Sequence, residues 1–295
     1  MRDAFAKELT KIARINQEIV LLSGDIGNRM FDGFKEVAED RFINCGIAEA
    51  NMMSMAAGLA MSGLRPVVYT ITPFITTRCL EQIKVSVAYH ESPVIIVGTG
   101  SGLSYAELGP THHSFEDLSI TRSIPGINVL APADKNELIS QLSDALKSNL
   151  PTYMRIGKKG EPLIHKKNSN LGIGKANLLI DGNDYLIITV GPIVSEALRA
   201  ASILNDHGIS IAVATLGGVK PIDINFLKRM IKKGFKKWIT LEEHSIVGGL
   251  GSTVLEWVSE NNNMIDVCRL GISDSFIHEL GSQSYVRGKL GIDSF

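Results

Sequence analysis

The sequence predicts two consecutive three-layer α/β domains, the first built on a mostly parallel, doubly wound sheet. Three observations lead there. Short apolar runs of strand length alternate with segments of helical periodicity along the whole chain. Such apolar strands belong to a sheet covered on both faces. The alternation breaks once, between 156 and 174, where the chain turns polar: Gly157-Lys158-Lys159-Gly160-Glu161-Pro162, then Lys166-Lys167-Asn168-Ser169-Asn170. That stretch reads as an interdomain connector and sets the domains at 1–165 and 166–295. A chain of 295 residues has room for two cores.

In the first block, Phe5, Leu9, Ile12 and Ala13 recur at helical spacing over 3–15. A strand follows at 19–22 and ends in Ser23-Gly24-Asp25. Small residues make 49–61 a helix. Then come a strand at 67–70, a helix at 77–89, a strand at 94–98, a helix near 115–122 and a strand at 128–130. Asp134 caps a helix reaching Lys147, and 152–155 is the last strand. The second block opens with a hairpin, 177–180 and 185–190, around Asp181-Gly182-Asn183-Asp184. A helix at 193–207, a strand at 210–214, a helix at 224–232 and a strand at 237–241 follow. Gly248-Gly249-Leu250-Gly251 opens a helix to about Asn261, and 264–270 is a strand.

Thirty basic against thirty-one acidic residues give a formal net charge of -1, which offers nothing to nucleic acid or an anionic membrane. Cys45, Cys79 and Cys268 are too few and too scattered for a disulfide framework, and no C-x-x-C pair points to zinc. The expected compartment is the reducing cytoplasm. The amphipathic N-terminus lacks the apolar stretch of a signal peptide. The most apolar long window, 43–64, carries Asn44, Glu49 and Asn51, which argue against a membrane-spanning helix.

Glycine-rich turns are present, but none is a nucleotide fingerprint. Gly248-Gly249-Leu250-Gly251 is not G-x-G-x-x-G in a first βαβ unit, and Gly98-Thr99-Gly100-Ser101-Gly102 lacks a Walker lysine. The loop Ser23-Gly24-Asp25-Ile26-Gly27-Asn28 follows a strand, where ligands bind in open α/β sheets. Asp25 and Asn28 either cap a helix there or line a site. Glu49 enters an apolar, small-sided helix, where a carboxylate is costly to bury without a partner. It is either an acid favoured by the helix macrodipole or a buried acid held to donate a proton. In Glu107-Leu108-Gly109-Pro110-Thr111-His112-His113, Gly-Pro constrains a loop bearing two imidazoles that cannot both face the same way. No metal-ligand spacing accompanies them.

The ordered set Gly46-Ile47-Ala48-Glu49, Thr72-Pro73-Phe74, Gly109-Pro110-Thr111-His112, Tyr153-Met154-Arg155 and His278-Glu279-Leu280-Gly281-Ser282 resembles the transketolase family, including deoxyxylulose-phosphate synthases. The resemblance spans the whole chain but only the later half of such an enzyme. It implies a thiamine-diphosphate pyrimidine-binding domain followed by a transketolase C-terminal domain. In that family a glutamate bonds the aminopyrimidine, whose amino group then takes the thiazolium proton; the cofactor carries the carbanion chemistry. By resemblance Glu49 has this catalytic role. Phe74 packs on the pyrimidine, Asp25 and Asn28 line the cofactor, and Ile47 helps hold its bent conformation. His112 contacts the reacting oxygens of the substrate, helped by His113, and Arg155 binds a substrate phosphate.

Two departures stand out. Leu108 occupies the place of an aspartate that reads a sugar hydroxyl, and Gly100 that of a histidine that helps hold phosphate. Both point away from the usual pentose phosphates towards a modified or nucleotide-linked sugar, or a shorter keto donor. No Gly-Asp-Gly segment of the kind that holds the family's Mg²⁺ is present. The implied metal ligands therefore lie on an N-terminal partner subunit. The implied assembly is a heterotetramer around a homodimeric core, with the helix after Glu49 packing on a partner or in its own core. The implied reaction is transfer of a two-carbon ketol unit from a ketose to an aldehyde. The alternatives are a 2-oxo-acid dehydrogenase β chain and a non-catalytic paralogue.

Overall fold

The computed structural model describes residues 1–27, 29–167 and 169–295. Helical spacing of apolar residues builds α1 (Arg2–Ala13), with Phe5, Leu9 and Ala13 buried. β1 (Ile19–Ser23) is buried throughout. Next come α2 (Asp32–Ala38), β2 (Phe42–Asn44), α3 (Glu49–Met61) and β3 (Arg65–Ile71). The segment after β3 is a series of short turns: α4 (Thr72–Ile75), a 3-10 turn (Thr77–Cys79), α5 (Leu80–Gln82) and a π-helical turn (Ile83–Ala88). The single helix expected over 77–89 is thus broken. The hydroxyls of Thr76 and Thr77 donate to the carbonyls of Thr72 and Pro73, a competition that weakens helices. β4 (Ile95–Thr99), α6 (Asp117–Arg122), β5 (Asn128–Leu130), α7 (Lys135–Lys147) and β6 (Thr152–Ile156) follow.

The second domain runs β7 (Asn177–Ile180), β8 (Tyr185–Thr189), α8 (Val194–Asp206), β9 (Ile211–Thr215), β10 (Gly218–Lys220), α9 (Ile224–Lys233), β11 (Lys237–Ser245), α10 (Leu250–Glu260), β12 (Val267–Ile272) and α11 (Gln283–Leu290). Its sheet has the order β12-β11-β8-β9-β7, and the other is β10-β5-β6-β4-β3-β1-β2. All first-domain pairings are parallel, and β10 adds to β5 antiparallel. A strand from the later part of the chain therefore completes the earlier sheet. The expected hairpin of β7 and β8 does not form. β8 is a buried strand flanked in parallel by β9 and β11, so the half-exposed β7 takes the edge beside β9. Gly182 makes this crossing possible: a Cβ there would lie 2.5 Å from the Ile211 carbonyl carbon.

Both sheets are covered on both faces. α1, α2 and α7 pack Phe5, Leu9, Phe34, Leu138 and Leu142 against one face of the first sheet. The opposite layer joins Met52, Met53, Ala56 and Ala57 of α3 to Ile83 and Val87. That cluster continues into Leu186, Ile188, Trp238 and Trp257 of the second domain. One side of α3 is therefore core, while Asn51, Ser54, Gly58 and Met61 on its other side are exposed.

A polar staple holds the connector. Asp134 caps α7 through the Asn136 and Glu137 amides and also accepts from the Ile164 and His165 amides. Burial pushes its carboxyl up, but the bonds from the His165 ring and these amides outweigh it and hold the group at about 2. Glu137 beside it is fully buried and accepts from the Ala133 amide at 2.6 Å. Burial pushes this carboxyl up to about 7 from 4.5, against the opposing pull of His165 and the Ala133 bond. Native Glu137 stays protonated where the unfolded chain ionises. Its contribution is therefore full below pH 4.5 and is lost as pH rises through 7, a fall of roughly 3 kcal/mol. Glu137→Gln should shrink the decline in unfolding free energy between about pH 4 and pH 8 by that order. Denaturant titrations at both pH values check it; an undiminished decline means that native Glu137 is already ionised.

Candidate active site

The loops after β1, β2, β3 and β4 leave the sheet at the carboxyl ends of parallel strands, the usual ligand-binding edge of such sheets. Glu49 is the first residue of α3, and Ala48 before it provides no side-chain cap. The carboxylate is only 2 % exposed, so it needs a partner. It has one in Arg78, whose Nη1 donates to Oε2 at 2.9 Å. The same guanidinium lies over the ring of Phe74, 4.2 Å from its centroid. Phe74 meets the His112 ring edge-on at 5.3 Å, and Tyr105 meets the other side of that imidazole at 5.9 Å. The Thr111 hydroxyl lies 2.9 Å from His112 Nδ1. Burial, and then the charge of His113, hold His112 below the usual histidine range, so its imidazole is neutral at pH 7. Glu49, Arg78, Phe74, His112 and Tyr105 thus form one continuous cluster.

Asp25 stands on the neighbouring loop in a left-handed conformation (φ 55°) and accepts from the Asn44 amide at 3.0 Å. Asn28 lies outside the described residues. Ile47 is 79 % exposed.

Two side chains assigned by resemblance are buried and already partnered within this chain. His113 is buried, with Nε2 3.3 Å from the Ala106 carbonyl and its ring packed on Phe115. His112 beside it, on the turn closed by the Gly109 carbonyl, is only partly buried. Arg155 is also buried. Its Nε pairs with Asp117 at 3.2 Å and its Nη2 donates to the Glu243 carbonyl at 3.1 Å. It ties the two domains.

The two departures have structural counterparts. A Cβ on Gly100 would fall 1.9 Å from the Tyr105 ring, so Tyr105 fills the space a side chain there would need. The Lys158 ammonium sits over that ring at 4.3 Å. Leu108 is 49 % exposed on the same loop. The loop itself is closed by mutual backbone bonds between Gly102 and Ser114. It is pinned where Glu243 accepts from the Leu103 amide at 2.7 Å. Glu243 is held in turn by Gln283 and Arg287.

Sequence reasoning missed Arg78, Tyr105 and Glu243. Arg78 carried a usable signal: it stands four residues after Phe74, the spacing that stacks two side chains on a helical turn.

The family model for the transketolase pyrimidine binding domain matches residues 1–160, and that for the transketolase C-terminal domain matches 174–291. The chain belongs to the transketolase family. Among its relatives, an apulose-4-phosphate transketolase subunit of Phocaeicola vulgatus is 34% identical over 99% of this chain and 93% of its own length. The 6-deoxy-6-sulfo-D-fructose transketolase subunit of a Clostridium species is 35% identical over 99% and 90%. The 1-deoxy-D-xylulose-5-phosphate synthase of Gloeobacter violaceus is 35% identical, but the chain spans only 44% of it. A split gene transketolase, solved as an inactive beta4 tetramer, superposes with a TM-score of 0.89 at 32% identity over 99% and 93% of the two chains. The expectations of two α/β domains and of a transketolase-type transferase agree with these findings.

Transketolases use thiamine diphosphate, and the residues present fit its aminopyrimidine. Glu49 offers a buried carboxylate, and the planar, nitrogen-rich guanidinium that bonds it also lies over the ring of Phe74. Gly24 keeps the floor clear, because a Cβ there would lie 3.0 Å from Thr70 Oγ1 and 3.5 Å from Glu49 Cγ. That Thr70 hydroxyl is buried without a hydrogen-bond partner.

Proposed function

We propose that this chain is the C-terminal subunit of a two-component transketolase that moves a two-carbon ketol unit from a ketose donor to an aldehyde acceptor. The observation that carries the reading is the run Glu49–Arg78–Phe74–His112 at the ligand-binding edge of the sheet. Thiamine diphosphate, when bound, supplies the carbanion chemistry. Glu49 holds a proton at its carboxyl group towards the pyrimidine ring nitrogen, and Phe74 supports the ring by stacking. His112 stays neutral, with Nδ1 held by Thr111, which leaves Nε2 to exchange a proton with a substrate oxygen. Asp25 belongs to the rim of this site.

The proposal extends to a partner. Magnesium would be held there, because among the described residues no group of three or more His, Cys, Asp or Glu side chains is placed for a metal ion. An N-terminal subunit would supply those ligands and close the site over the exposed Ile47, giving a heterotetramer of two copies of each chain. The names of the two subunit relatives, with Leu108 and the Tyr105-filled place beside Gly100, support a modified sugar as substrate. Three free cysteines accord with a cytoplasmic setting. Among the described residues no helix is long and apolar enough to cross a membrane.

The test is reconstitution with the N-terminal subunit, thiamine diphosphate and Mg²⁺. Modified and ordinary ketose phosphates are offered with an aldehyde acceptor, and 2-oxo acids in parallel. Two-carbon transfer between sugars is expected. Release of CO₂ from a 2-oxo acid without ketol transfer would assign the chain to the dehydrogenase β chains instead.

A further inference from the structure

We infer that Arg78 is a self-blocking contact: its guanidinium holds the place of the cofactor's aminopyrimidine on Glu49 and Phe74, and it must leave that place before the cofactor can bind. The inference rests on the reading of this site as a thiamine-diphosphate site. Arg78 makes both contacts that an aminopyrimidine would make there. It donates to Glu49 Oε2 at 2.9 Å, and its Cζ lies over the Phe74 ring, 4.2 Å from the centroid. A guanidinium and an aminopyrimidine are both planar, delocalised and edged with N–H donors. The carboxylate has lone pairs for more than one donor, but two planar groups cannot lie on one ring face at once.

The contact has a reason to exist in the unloaded chain. Glu49 is 2 % exposed, and a carboxylate at that depth without a partner is strongly disfavoured. Arg78 satisfies it from the surface. Its own side chain remains 45 % exposed and lies on a 3-10 turn, so it can swing into solvent at the cost of its contacts with Glu49 and Phe74 alone. The buried acid is therefore never left alone: it exchanges one flat hydrogen-bonding partner for another. The blocking contact lowers apparent cofactor affinity by the free energy needed to open it, which for a half-exposed ion pair with a cation–π contact is on the order of a tenfold effect.

Calorimetric titration of thiamine diphosphate, with Mg²⁺ present, into the complex of this chain and its N-terminal subunit decides the matter. Arg78→Gln keeps an amide that can bond Glu49 but loses the charge and the guanidinium plane. It should bind the cofactor on the order of tenfold more tightly than wild type. Arg78→Lys keeps the charge and loses the flat surface, so it should tighten binding by less, about threefold, and it serves if the glutamine variant does not fold. Unchanged or weakened binding in the variant measured overturns the inference, since an arginine that helps to hold the cofactor gives weakening. The reading of the site fails separately: wild-type complex that binds no thiamine diphosphate sinks that reading. Tight wild-type binding and turnover with no tightening in the variants sink only the blocking role.

Discussion

Glu49→Gln in the reconstituted complex should lower ketol transfer by about a thousandfold while leaving assembly intact. The size follows from the loss of a positioned proton donor, which typically contributes roughly 10²–10⁴. Glutamine keeps the shape and can still bond a nitrogen-bearing ring, but it has no proton to give and take. Its stability cost is small, because the pair it breaks has a half-exposed partner in Arg78, and such pairs contribute about 1 kcal/mol or less. Single-turnover assays, size-exclusion profiles and cofactor titration separate the three effects. The neighbouring change His112→Asn should cost about a hundredfold in turnover with cofactor affinity unchanged, since the loss is of a proton-exchanging ring that meets Phe74 only edge-on. If Glu49→Gln retains activity within about tenfold of wild type, the proton at this carboxyl group is not used.

The regular part of the fold is legible because it follows from periodicity. The runs at 19–22, 67–70 and 152–155 are β1, β3 and β6, and Asp134 caps α7 as its side chain predicts. The failures come where tertiary pairing decides. β7 reads as the partner of its sequence neighbour, but a buried strand with both edges taken cannot accept it. The short β2 and β10 owe their existence to the strands they join, not to their own composition. The site divides in the same way. Glu49 stands out as a carboxylate at the head of an apolar helix, and that anomaly is local. His113 and Arg155 enter the site only by resemblance, and their burial depends on Ala106, Asp117 and Glu243, which no local pattern joins to them. Arg78 lies between: its spacing from Phe74 is local, whereas its bond to Glu49 crosses 29 positions.

Glu243→Ala should destabilise the isolated chain by about 3–5 kcal/mol, the cost of leaving a buried charge without its partner. Arg287, 9 % exposed, bonds Glu243 through Nε at 2.5 Å, and its other nearby carboxylate, Glu196, is farther away at 3.4 Å. Glu243 also does something that its ion pair does not. Its Oε1 accepts from the Leu103 amide and so pins the loop that carries His112. A Cβ on Gly102 would lie 2.4 Å from that oxygen, so the loop passes directly over the carboxylate. These two functions can be separated by removing both charges. Glu243→Met with Arg287→Met removes both ions of this pair, and buried Glu196 keeps Arg199 as its partner, so much of the lost stability should return. The Leu103 amide stays without its acceptor, however, and the His112 loop stays loose. Denaturant unfolding should thus recover in the double variant while turnover in the complex remains depressed, through kcat more than through cofactor binding. Recovery of both would mean that the pair acts on activity only through overall stability. Failure of both would mean that the loop anchor, and not the buried charge, dominates the stability of the domain junction.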